Sequence, residues 1–150
     1  MTMTFTSSSP DATLALGRRF AAYLTAGDIV LLSGRLGSGK TLFVQGVAEG
    51  LGIAEPVTSP TFVIARIYRD GFLPLVHADA YRLSSFAEFE DLELVDEAYD
   101  GVIMIEWGDS IRDAVSDDHL VIHIEIDGSE RRFALEPSGS WCTRDLEMMA

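Results

Sequence analysis

Two stretches of the chain are apolar without interruption, and a third alternates. Ile29-Val30-Leu31-Leu32 lies between Asp28 and Ser33-Gly34, and Val102-Ile103-Met104-Ile105 lies between Gly101 and a carboxylate, Glu106. Short apolar runs bounded by turn residues or a charge predict strands buried on both faces. Further on, Leu120, Ile122, Ile124 and Ile126 alternate with Val121, His123, Glu125 and Asp127, which predicts a strand with one more polar face. Asp127-Gly128 then reads as a turn into another strand over residues 131–135.

The helical signals are as local. Ser9 can cap, Pro10 suits a first turn and Asp11 favours the positive helix end. Leu14, Leu16, Phe20, Tyr23 and Leu24 follow at helical spacing, predicting an amphipathic helix that stops near Gly27. Residues 40–51 contain no proline and are helix-compatible, with Gly52 as a stop. Residues 61–69 are β-branched and aromatic, Asp70-Gly71 is a turn signal, and residues 72–76 are again apolar, so a β-hairpin is expected. Ser85 and Glu88 have capping-box spacing ahead of an acidic segment in which Phe89, Leu92, Leu94 and Val95 can face inward, predicting a short helix. Helices interleaved with buried strands, plus hairpins, indicate an α/β fold with a mixed parallel and antiparallel sheet flanked by helices. No repeat or linker divides residues 1–150, and residues 1–8 and 138–150, having little periodicity, are expected to fray.

Composition narrows the function classes. At 150 residues the chain is the size of one domain, which buries about 70% of its unfolded surface. No apolar run approaches the roughly 20 residues that cross a bilayer, and MTMTFTSSSP lacks the basic and apolar regions of a secretory signal, so the expectation is a cytoplasmic protein without a membrane partner. Cys142 is the single cysteine, which excludes an internal disulfide. The formal net charge is −13, from 24 acidic against 11 basic residues, and no cluster of basic residues offsets it. Such a surface repels phosphate backbones, so autonomous nucleic-acid binding is disfavoured and any link to RNA runs through a partner.

The chemistry concentrates in Gly34-Arg35-Leu36-Gly37-Ser38-Gly39-Lys40-Thr41, which satisfies G-x-x-x-x-G-K-S/T between a predicted strand and a predicted helix. Glycines let the backbone wrap phosphate oxygens and present N–H donors from the loop and the helix start. Lys40 then reaches the β- and γ-phosphates, and the Thr41 hydroxyl reaches Mg²⁺. A carboxylate is needed near the metal, and two stand out: Glu106 at the end of a buried strand, and Asp79 within His77-Ala78-Asp79-Ala80-Tyr81-Arg82-Leu83. Glu106 is assigned to the metal and Asp79 to orienting the metal-bound or attacking water, with the reverse left open by the sequence. Thr58-Ser59-Pro60-Thr61 lies where a hydroxyl, Thr61 foremost, can meet the γ-phosphate or Mg²⁺, as switch loops do, the other reading being a simple turn with a strand-starting threonine. Trp107 is either a lid over the site or ordinary packing, and His77 is read as a support for Asp79 or as a packed or solvated residue. No N-K-x-D segment reads guanine, so adenine is the expected base.

Together these segments resemble the TsaE (YjeE) family of small P-loop ATPases in bacterial tRNA threonylcarbamoyladenosine (t6A) synthesis. The resemblance rests on Thr13-Leu14-x-Leu16-Gly17, the 36–41 segment, Ser59-Pro60-Thr61-Phe62, His77-x-Asp79-x-Tyr81-Arg82-Leu83 and Glu106-Trp107, in that order across residues 10–127. It implies a Mg²⁺-dependent ATPase, weak alone, that acts with TsaB and TsaD in threonylcarbamoyl transfer to adenosine 37 of tRNA, the tRNA being met only through those partners. By matching positions it implies phosphate binding by Lys40 and the loop (Gly34, Leu36, Gly37, Ser38, Gly39), metal binding by Thr41 and Glu106, support of hydrolysis by Asp79, and Thr61 and Trp107 flanking the nucleotide. Arg35, Ala80 and Gly108 depart from the family's common acidic residue, leucine and proline; none is a phosphate or metal ligand, but Arg35 reverses charge beside the site.

Two other readings share the P-loop. A small-molecule kinase needs an acceptor pocket and an arginine-bearing lid, and no arginine-rich lid is visible in the sequence. A nucleotide-operated switch would change partner affinity, with hydrolysis as its reset.

Overall fold

The computed structural model describes residues 3–58, 65–80, 100–107 and 117–146. The chain runs β1 (Met3–Ser7), α1 (Pro10–Ala21), β2 (Ile29–Ser33), α2 (Lys40–Gly50), β3 (Ala65–Tyr68), β4 (Leu75–Asp79), β5 (Val102–Glu106), β6 (His119–Asp127), β7 (Glu130–Ser138) and a 3₁₀ turn, Gly139–Thr143. The strands form one seven-stranded sheet in the order β1-β7-β6-β2-β5-β4-β3. Its centre is parallel, β6, β2, β5 and β4, while β7, β1 and β3 join antiparallel. This is the mixed α/β sheet that the apolar patterning predicts.

Strands β2 and β5 are apolar up to their last residues, Ser33 and Glu106, because both sheet faces are covered. Val30, Leu32, Val102 and Met104 belong to a core packed under α1 and α2, and Ile29, Leu31, Ile103 and Ile105 belong to a second core on the opposite face. The first core is braced by aromatic contacts, with ring centroids 5.6 Å apart for Phe20 and Phe43, 5.4 Å for Phe43 and Phe133, and 6.0 Å for Phe20 and Trp141.

Helix α1 starts as its sequence predicts. The Ser9 side chain accepts from the Ala12 N–H at 3.0 Å with Pro10 in the first turn. The helix ends at Ala21, earlier than the glycine stop at Gly27; the N–H groups of Tyr23 and Leu24 close the end on the carbonyls of Phe20 and Ala21 at 2.9 and 3.2 Å. In the hairpin, β4 starts at Leu75 rather than at Phe72, whose side chain is exposed; Pro74 has no N–H to give a ladder. The helix expected over residues 88–97 lies outside the described residues.

The two ends differ from the expectation of fraying. Residues 3–7 pair with β7 in the register Met3↔Leu135 to Ser7↔Arg131, burying Phe5. Downstream, the 3₁₀ turn delivers Trp141 into the first core, where it is 1% exposed. Short segments with one or two apolar anchors leave no periodicity to read, yet one buried aromatic side chain takes roughly 150–250 Å² out of water. Among the described residues no helix is long and apolar enough to cross a membrane.

Candidate functional site

Strand β2 feeds the glycine-rich loop, and the loop feeds α2. The turn needs backbone that other residues would not give. A side chain on Gly34 would meet Ser38 Oγ at 2.6 Å and Ile124 O at 2.7 Å, so the loop can close onto itself only without one. Gly39, the residue that caps α2, is left-handed at φ 105°. Ser38 is buried, and its Oγ has no hydrogen-bond partner among the described residues. Leu36 is 89% exposed, so its backbone alone can contribute to an anion cradle.

Lys40 opens α2 and is buried. Its Nζ donates to the carbonyls of Gly34 at 2.6 Å and Arg35 at 3.1 Å, and stands 3.8 Å from the centroid of the Trp107 ring. The loop thus curls around its own ammonium. Trp107 is held in place by an N–H bond to Leu32 O at 2.7 Å and takes the left-handed region at φ 62°, a conformation uncommon for a bulky residue. Backbone strain of this kind clusters at ligand sites.

The carboxylates come from neighbouring strands. β2, β5 and β4 are parallel and adjacent, so their C-terminal ends meet beside the loop, where ligands of α/β sheets collect. Asp79 is the register partner of Glu106 and therefore shares its face of the sheet. Thr41 Oγ1 donates to Glu106 Oε2 at 2.9 Å across 65 residues of sequence. His77, for which the sequence left open support of Asp79 or simple packing, reaches Glu106 Oε2 through Nε2 at 2.5 Å. The clue was present in part, since His77 and Asp79 sit two apart on one strand; the register that puts Glu106 over them was not.

Thr61 and its neighbours in residues 59–64, with Tyr81, Arg82, Leu83 and Gly108, lie outside the described residues. Beside the loop, between Ser33, Gly34 and Arg35 and the β6 residues 123–126, opens a cleft of about 380 Å³, within the range of small-molecule sites.

The residues fit a phosphate-bound magnesium ion. The Thr41 hydroxyl and the Glu106 carboxylate are oxygen ligands and few in number, and beside them stand the buried Lys40 ammonium and a Ser38 hydroxyl without a hydrogen-bond partner among the described residues. No group of three or more His, Cys, Asp or Glu side chains that could hold a metal without phosphate is found among the described residues.

A family model, Threonylcarbamoyl adenosine biosynthesis protein TsaE, matches residues 7–133. The chain belongs to the TsaE family. Among its relatives, the tRNA threonylcarbamoyladenosine biosynthesis protein TsaE of Streptomyces coelicolor is 45% identical over 145 residues, covering 90% of this chain and 97% of the relative. The TsaE of Bacillus subtilis is 44% identical over 126 residues, covering 83% and 78%. The crystal structure of Bacillus subtilis YdiB matches with a TM-score of 0.78 at 32% identity, covering 99% of this chain and 91% of that one.

Proposed function

We propose that this TsaE-family protein binds ATP with Mg²⁺ and hydrolyses it as a component of threonylcarbamoyladenosine synthesis on tRNA, in the cytoplasm, together with TsaB and TsaD. The observation that carries the nucleotide reading is the Thr41–Glu106 hydrogen bond of 2.9 Å beside buried Lys40. It joins the first hydroxyl of α2 to a strand-end carboxylate, the donor pair that a phosphate-bound Mg²⁺ takes from a P-loop protein. The pathway reading is supported by the names of the relatives, which describe t6A biosynthesis proteins.

In this reading Lys40 exchanges the carbonyls of Gly34 and Arg35 for phosphate oxygens, joined by backbone N–H groups of the loop and the start of α2. Thr41 and Glu106 hold the metal. When bound, Mg²⁺ neutralises charge that gathers on the phosphate oxygens during transfer. Asp79, one strand over, orients the attacking water and accepts its proton. Trp107 and Thr61 flank the nucleotide, and the cleft between Arg35 and β6 has room for part of the nucleoside. With a net charge of −13 the protein leaves tRNA to its partners.

ATP turnover measured with and without Mg²⁺, TsaB and TsaD, alongside the t6A content of cells carrying wild-type or Lys40→Ala protein, tests this. Lys40→Ala should lose turnover by about 100-fold or more, the usual cost of one transition-state donor, and lose modification with it. Modification that persists without hydrolysis would leave the switch reading standing. Phosphorylation of a metabolite without partners would favour the kinase.

A further inference from the structure

Beneath Glu106 lies a buried imidazole that the reading above does not use. Alternate residues of a strand share a face, so Leu75, His77 and Asp79 line one side of β4. Leu75 belongs to the core packed under α1 and α2. Along this line the side chains pass from apolar core through histidine to the carboxylate at the strand end.

His77 is wholly inaccessible to solvent. Its Nε2 lies 2.5 Å from Glu106 Oε2, and its Nδ1 has no partner among the described residues. A carboxylate only accepts, so the hydrogen-bond network assigns the imidazole proton to Nε2. Burying a polar ring that makes one bond costs free energy that an apolar side chain of the same volume would not. As core packing alone, histidine is a poor choice here; as a donor to Glu106 it is a good one.

The pattern of bonds on Glu106 points the same way. Oε2 receives both the Thr41 hydroxyl and His77 Nε2, whereas Oε1 makes no hydrogen bond among the described residues. One donor comes from α2 and the other from β4, so the carboxylate is gripped by one oxygen from two elements and presents the other.

We propose that His77 is a positioning residue for Glu106: its Nε2–H holds the carboxylate in the single orientation in which it serves the metal of a bound nucleotide. This rests on the reading of Glu106 as a magnesium-binding carboxylate. Partners that orient a metal-binding group commonly matter by 10- to 100-fold in metal affinity. Replacing the ring by an apolar one of similar size removes one of the two anchors on Oε2 and lets Glu106 take other rotamers.

The test is the affinity for AMP-PNP, measured by calorimetry in Mg²⁺ and again in EDTA, for wild type, His77→Phe, His77→Gln, Glu106→Gln and the double variant His77→Phe with Glu106→Gln. His77→Phe should reduce the Mg²⁺-dependent gain in affinity by about tenfold, with affinity in EDTA kept within about twofold. His77→Gln, whose amide can donate from nearly the same place, should recover most of the gain. In the Glu106→Gln background His77→Phe should cost nothing further. An unchanged gain in His77→Phe, or an equal loss in the Glu106→Gln background, overturns the proposal. A wild-type protein that binds AMP-PNP without any gain from Mg²⁺ removes its premise, and one that binds none defeats the nucleotide reading itself. Should His77→Phe not fold, ¹⁵N-histidine NMR of the wild-type chain decides, with His77 assigned by variants of His119 and His123. An Nε2–H tautomer whose signals move in Glu106→Gln supports the role, and an Nδ1–H tautomer overturns it.

Discussion

The two ends of β2 carry two buried polar clusters, and they are built on opposite principles. At the start of the strand Asp28 is satisfied on both oxygens: Arg144 donates to Oδ1 at 2.6 Å and to Oδ2 at 2.7 Å, and the Thr25 N–H adds a bond to Oδ2 at 2.7 Å. Arg144 also lies 3.8 Å over the Trp141 ring and reaches Tyr23 O at 3.3 Å. At the other end, about 16 Å away by strand rise, bonds are left over. Ser38 Oγ and His77 Nδ1 have no partner among the described residues, Trp107 holds a left-handed backbone, and Glu106 is bonded through one oxygen. Burial is similar in the two places, so burial does not distinguish them. Satisfaction does: a cluster that closes on itself stabilises the fold, and one with open valence keeps donors and acceptors that a ligand can use.

That contrast is breakable by substitution. The largest effect should come from the structural end. Trp141→Ala should lower unfolding free energy by about 4 kcal/mol in denaturant titrations, as deletion of a buried aromatic does, and leave nucleotide affinity alone. A next, sharper test swaps carboxylate for amide at each end. Asp28→Asn should cost about 3 kcal/mol of stability without weakening Mg²⁺-dependent nucleotide binding, whereas Glu106→Gln should weaken that binding and change stability by less than about 1 kcal/mol. Equal stability losses at both ends would end the distinction.

Arg144→Ala should cost about 3 kcal/mol as well. The hydrogen bond to Asp28 raises the Arg144 pKa above its ordinary value, outweighing the opposing effect of burial, with the Asp28 and Asp118 charges adding to the rise. A base with a raised pKa contributes stability that is complete below its unfolded pKa and lost only as pH rises through the folded one. The penalty of Arg144→Ala due to the guanidinium should therefore be the same at about pH 6 and about pH 9. A last and modest effect belongs to neither cluster. Ser9→Ala should cost about 1 kcal/mol, the worth of a helix cap, with no change in nucleotide binding.

How far the sequence carried depended on how local each feature was. The G-x-x-x-x-G-K-T loop, its place between β2 and α2, the Ser9 cap and the apolar strands β2 and β5 were all legible, because each is set by neighbours along the chain or by a simple period. Both candidate carboxylates were legible too, as charges at or near the ends of apolar runs. The structured ends, Met3–Ser7 and Gly139–Thr143, were not, since each is held by partners more than a hundred residues away. Nor was the partner of His77.

What the sequence alone determined is a glycine-rich G-x-x-x-x-G-K-T loop between a strand and a helix and the residue types available beside it, because such a turn is a matter of backbone conformation over eight consecutive positions. Which of those residues meet was decided only by tertiary structure. Strand order puts β5 between β2 and β4, and its register brings Glu106 to Thr41, Asp79 and His77. Strand pairing depends on the free energy of the whole sheet, and no single segment contains that information.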